Sequence, residues 1–130
     1  MLTIHPGTAN YMTVPVSNLW GTTMDPVHHL SSRNKDQMAK NPDGSFTVIV
    51  SPTDPGLQNW VDTEGLSEGM LFLRWAAIAG GPDAPKPAVE SKIGPMSKLA
   101  DAVPPTLGKV DKAEREREVR QRARDYDLRW

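Results

Sequence analysis

Apolar and polar residues alternate with period two over residues 11–17, which puts Met12, Val14 and Val16 on one face and Tyr11, Thr13 and Pro15 on the other. That spacing predicts a strand, and Pro15, which has no amide hydrogen to donate, makes it an edge or an interrupted one. Gly21 and Pro26 break any period in the next stretch, and residues 31–40 are polar, so both regions are expected to be mostly loop. Asn41-Pro42-Asp43-Gly44 is a turn signal, because proline presets φ and glycine supplies the left-handed residue that follows. It leads into a second predicted strand, residues 45–51, with Phe46, Val48 and Val50 on one face. Pairing of that strand with residues 35–40 would close a hairpin across the turn.

Residues 54–69 read as a long structured connection, and residues 69–76 as a third strand. Its alternation places Met70, Phe72 and Arg74 on one face and Leu71, Leu73 and Trp75 on the other. Composition then shifts: Gly80-Gly81-Pro82-Asp83-Ala84-Pro85-Lys86-Pro87 marks a linker extending over 79–108, with room for a short helix around 96–103. From Asp111 the pattern is helical to residue 128, with Asp111 as N-cap and Glu114 in the position of a capping box. Pairs at i,i+4 (Asp111/Arg115, Glu116/Arg120, Glu118/Arg122) support the helix by about 0.3–0.5 kcal/mol each. Its apolar stripe of Val110, Ala113, Val119, Ala123 and Tyr126 is thin, so the helix is expected to dock loosely or to bind something else. The organisation that follows is a partial β-sandwich unit at 1–78, a Pro/Gly-rich linker at 79–108 and a charged C-terminal helix at 109–130.

With 130 residues, one core is expected. The hydrophobic fraction of 38% and the 12 prolines disfavour a compact helical bundle. A net charge of −1 gives no global attraction to nucleic acid or anionic lipid. Locally the segment from Lys109 onward carries eight basic and six acidic residues, which is +2 and leaves −3 for the remainder. Its interleaved glutamates favour a self-paired, solvated helix over a phosphate-binding one. The absence of cysteine excludes disulfides, thiolate metal sites and a cysteine nucleophile. No stretch approaches the roughly 20 apolar residues of a membrane span, and the first residues lack a secretory pattern, so a cytoplasmic protein is the default expectation.

Few residues offer chemistry. His28 and His29 are adjacent, with Asp25 nearby, but the spacing is wrong for a same-face ligand pair, and neither a metal nor a cofactor is expected. Asp62, Glu64 and Glu68 are an acidic cluster of the kind that can supply an acid and a base. Asn59, Trp60, Asp62 and Arg74 form the more particular set. Arg74 shares a strand face with Met70 and Phe72, so partial burial and a carboxylate partner are expected, with Asp62 nearest in sequence. An internal Asp62–Arg74 clamp with Trp60 packed over it and Asn59 bonding its own backbone is the favoured reading. The alternative is a ligand-binding mouth in which Asn59, Trp60, Asp62, Glu64 and Arg74 contact a small polar ligand. Trp20 and Trp75 are expected in the core or an interface.

The stretches 11–21, 41–47, 55–63 and 69–75, with their Asp-Gly turn, Asn-Trp segment and Arg-bearing final strand, resemble the C-terminal portion of the bacterial family of unknown function numbered 1214. The resemblance covers about residues 8–78, and the Arg-rich helix is similar to the tail of some members. It implies an antiparallel jelly-roll-like β-sandwich and supplies no catalytic residues. A jelly roll has about eight strands, whereas three firm and two weak ones are legible, and members usually carry further strands before the one near Tyr11. A truncated member is one expectation, and a missing sheet supplied by a second copy or partner chain is the other. Three functions remain open: a structural or small-ligand-binding module without catalysis; a hydrolase or lyase using Asp62 and Glu64 with Arg74 as anchor; and an interaction protein docking a partner through its C-terminal helix.

Overall fold

The computed structural model describes residues 1–128; the last two positions of the predicted 109–130 segment lie outside the described residues. The fold is mainly β with a C-terminal helix, and eight strands form two sheets, neither of them closed. The first sheet has the order β5 (Trp60–Asp62), β4 (Phe46–Ser51), β1 (Leu2–His5), β8 (Ala88–Ser91). In the second, β2 (Ala9–Ser17) lies between β3 (Ser32–Asn34) on one side and β6 (Met70–Leu71) with β7 (Arg74–Ile78) on the other. All pairings are antiparallel except β4 with β5, which run parallel.

The faces predicted for residues 11–17 and 45–51 meet in the core. Met12 and Val14 from β2, Phe46 and Val48 from β4, Ile4 from β1 and Val61 from β5 are all at most 1% exposed. Ile49, on the opposite face of β4, is equally buried. The third strand is broken at Phe72 and Leu73, and the face it buries is the one carrying Leu73 and Trp75. Met70, Phe72 and Arg74 are exposed instead. Trp20 also lies in solvent rather than in a core.

Three expectations are corrected by the sheet pairing. Residues 35–37 form a 3₁₀ turn, so no hairpin joins 35–40 to β4, and β4 pairs with β1 in the register Leu2↔Val48. The Asn41–Gly44 turn does form, with the Gly44 amide donating to the Asn41 carbonyl at 2.9 Å. Second, the segment expected as linker contains β8, which pairs with β1 over four residues. The crossover leading to β8 presses on the β1–β2 turn so closely that a Cβ on Gly7 (φ +56°) would lie 2.5 Å from the Pro85 carbonyl oxygen, which accounts for glycine there. Third, eight strands are present where three firm and two weak ones were legible. The firm ones cover β2, β4, β6 and β7, and the other four, β1, β3, β5 and β8, have only three or four residues each.

A short helix, α1 (Leu99–Ala102), sits within the predicted 96–103 range, and α2 spans Lys112–Asp127 with the Asp111 carboxylate accepting from the Glu114 amide at 2.7 Å. The chain approaches α2 along the 54–58 loop: Gln58 N–H donates to the Gly108 carbonyl and Val110 N–H to the Gly56 carbonyl, both at 2.9 Å. Despite its thin apolar stripe, α2 is docked on its own β unit, and the docking is ionic. Arg115, 6% exposed, reaches Asp54 at 2.8 and 3.1 Å, the Leu57 carbonyl at 2.6 Å and Glu118 at 2.5 Å. Its guanidinium also lies 5.1 Å from the centre of the Trp60 ring, within cation–π range. Glu118 passes the connection to buried Arg33 at 2.9 Å, and Arg33 Nε donates to the Trp60 carbonyl at 3.0 Å. The anticipated Asp111/Arg115 and Glu118/Arg122 side-chain pairs are displaced by these contacts. Arg122 donates to the Pro26 carbonyl and to Ser32.

Truncating one member of a buried ion network leaves the others desolvated and unpaired. Arg115→Ala is therefore expected to lower the unfolding free energy by about 2–3 kcal/mol, read as a fall in the urea midpoint with an unchanged slope. Arg120→Ala, which removes only an exposed 3.7 Å pair with Glu116, should leave the midpoint within error of the parent.

Candidate functional site

The residues singled out in sequence do not assemble around one cleft. Asn59 opens β5 at φ +56°, a left-handed conformation that asparagine tolerates better than most residues. It is 2% exposed and its side-chain amide is fully used. Oδ1 accepts from the Ala39 amide at 2.7 Å, and Nδ2 donates to the Ala39 and Thr47 carbonyls at 2.8 and 2.9 Å. Asn59 thus ties the 38–41 loop to β4 and β5, rather than bonding its own backbone. Trp60 is buried beside it, and its Nε1 donates to both the carbonyl and the hydroxyl of Ser51. With its ring against Arg115, Trp60 is committed to the fold.

Asp62 and Arg74 do not pair. Arg74 is exposed on β7 because the strand buries Leu73 and Trp75, and it forms no ion pair among the described residues. Asp62, buried on β5, instead holds the Nδ1 of His29 at 2.8 Å with one oxygen and accepts the Glu64 amide at 2.8 Å with the other. Glu64 has φ +53° and one carboxylate oxygen that is buried without a hydrogen-bond partner. Burial pushes its carboxyl above the ordinary range, against the pull of nearby His29. Next to them Asp25 caps the 25–28 turn, accepting from the amides of Val27 and His28 and from the His28 ring. The His28 amide, its ring and then the Val27 amide hold the Asp25 carboxyl down to about 2.

His29, Asp62, Glu64 and Asp25 thus form a titratable constellation, and His29 was not singled out with Asp62 because 33 residues separate the two. A histidine oriented by a buried carboxylate is half of an acid–base apparatus. No serine or threonine hydroxyl lies in hydrogen-bond contact with His29, and no group of three or more His, Asp or Glu residues is arranged to hold a metal ion, among the described residues. What the arrangement does is fasten the 25–31 loop to β5, helped by the Asp62 amide bonding the Leu30 carbonyl at 3.0 Å.

The fold and site thus define a two-sheet β domain with a docked C-terminal helix and with polar clamps at Asn59, Trp60 and Asp62. No family model and no curated protein matches the chain. Among solved structures it is similar to an uncharacterized protein from Burkholderia cenocepacia, with 34% identity and a TM-score of 0.55 over 68% of this chain and 25% of that one. The chain therefore spans about a quarter of the length of that protein.

Two outcomes follow. Asn59→Ala removes three hydrogen bonds and places alanine at positive φ, so a loss of about 2–4 kcal/mol is expected in urea unfolding. The Asp62 hydrogen bond raises the His29 pKa above 6.5 in the folded state. The stabilisation from that pair is therefore complete below pH 6.5 and is lost as pH rises through the folded pKa. Melting temperature is expected to decline across neutral pH in the parent chain, and that slope should flatten in His29→Asn.

Proposed function

We propose that this chain is a structural β-sandwich module without catalysis of its own, and that it works by associating with a second copy along its open edge. The observation that carries this reading is the asymmetry of the sandwich. On the β3/β5 side the two sheets are joined by the Asp62–Leu30 bond and by Arg33, and α2 seals the seam. On the opposite side both edges, β8 and β6–β7, lack a further strand, and they expose Phe72 (46%), Ile78 (56%) and Val89 (43%). Unpaired edges bearing apolar side chains are templates for pairing with another chain.

The reading is supported by how completely Asn59, Trp60 and Asp62 are consumed by internal bonds, which leaves them unsuited to contact a ligand. It accords with the resemblance to the family numbered 1214 and with a protein acting in the cytoplasm. The alternative of a helix-borne partner site is disfavoured because Arg33, Arg115 and Arg122 are spent on docking α2 to its own β unit. The hydrolase or lyase reading is disfavoured because Arg74 is remote from Asp62 in its contacts. Among the described residues no helix is long and apolar enough to cross a membrane.

Light scattering coupled to size exclusion tests the proposal on the full chain. A discrete dimer is expected, with Ile78→Lys shifting the equilibrium toward monomer by at least tenfold in dissociation constant. A chain that stays monomeric and monodisperse at every concentration would refute it.

A further inference from the structure

The open side of the sandwich also contains a groove built from residues other than Phe72, Ile78 and Val89. The strap at 92–102, which leaves β8 and carries α1, stands off the first sheet and encloses a space of about 660 Å³. It is lined by Leu71 of β6, by Met96 and Leu99 of the strap, and by the buried Leu2 and Ile49. That volume falls within the range of about 300–1,000 Å³ typical of small-molecule sites. Leu71 and Met96 are partly exposed to the groove's mouth at 38% and 42%, so apolar surface is left in contact with water there.

The charges around this apolar space are unequal. Lys92 and Lys98 line it with a single carboxylate, Asp101, and neither lysine forms an ion pair among the described residues. Lys92 is fixed at the rim by its amide, which donates to the Met1 carbonyl at 2.9 Å. An apolar trough beside two uncommitted ammonium groups is complementary to a molecule with a long alkyl chain and an anionic head. We propose that the groove binds a long-chain alkyl carboxylate as a monomer, its chain lying between Leu71 and the strap and its carboxylate meeting Lys92 and Lys98. This goes beyond the self-association reading and does not depend on it.

Calorimetric titration of the full chain with dodecanoate, kept below its micellar concentration, tests the assignment. Saturable one-to-one binding is expected, with dodecyltrimethylammonium binding at least tenfold more weakly. Leu71→Glu, a change at a partly exposed position that places a like charge in the trough, should abolish dodecanoate binding while circular dichroism remains that of the parent. The double variant Lys92→Glu/Lys98→Glu should lose the preference for the anion. Ile78→Lys should bind dodecanoate as the parent does, which separates this site from the association surface. Absence of saturable binding, equal affinity for the two amphiphiles, or undiminished binding by a folded Leu71→Glu variant would overturn the proposal. So would co-sedimentation with phosphatidylglycerol vesicles in the absence of dodecanoate binding, which would indicate a membrane surface as the ligand.

Discussion

The buried guanidinium of Arg115 is the constraint around which the molecule is arranged. A charge at 6% exposure is tolerable only when it is paired and hydrogen-bonded, and the groups that do so come from separate parts of the chain. Asp54 and the Leu57 carbonyl belong to the loop before β5, Trp60 to β5 itself, and Glu118 to the next turn of α2. Burial alone would drive the Arg115 pKa down, but the Asp54 and Glu118 hydrogen bonds outweigh it and leave the group more firmly protonated than a free arginine. The same competition runs the other way at Glu118, where burial is outweighed by Arg33 and Arg115 and the carboxyl sits below its usual range. Loop, strand and helix therefore hold one another through charge where α2 has too little apolar surface to do so by packing.

This latch also gives the sandwich its polarity. It occupies the β3/β5 side, where Arg33 bonds the Trp60 backbone and α2 covers the seam, so that side is finished. Across the molecule, β8 and β6–β7 end the two sheets among the described residues, and the strap after β8 borders a partly apolar space. The polar clamps at Asn59 and His29–Asp62 hold loops to the closed half.

The long elements were legible in sequence because each carries its own period or cap. The alternation of Met12, Val14 and Val16, the run Phe46 to Val50 and the Asp111-capped helix are self-contained signals. Strands of three or four residues are not, since β5 and β8 hold too few positions to define a period and exist because β4 and β1 offer them an edge. The alternation of the third strand was legible but its buried face was not: Leu73 and Trp75 pack against the core, so Phe72 and Arg74, on the opposite face, turn outward. Of the candidate site, the importance of Asn59, Trp60 and Asp62 was visible, but their partners were not. Ala39, Ser51, His29 and Arg115 lie 20, 9, 33 and 55 residues away, and only folding brings them together.

The ionic latch makes α2 part of the same cooperative unit as the sheets, and native-state hydrogen exchange of the α2 amides measures that directly. Mid-helix amides around Glu118 are predicted to exchange only through global unfolding, with protection equal to that of β4 and β2. Rapid exchange of those amides while the strands remain protected would show a helix that frays independently, and would contradict the ionic latch as the interaction that organises the fold.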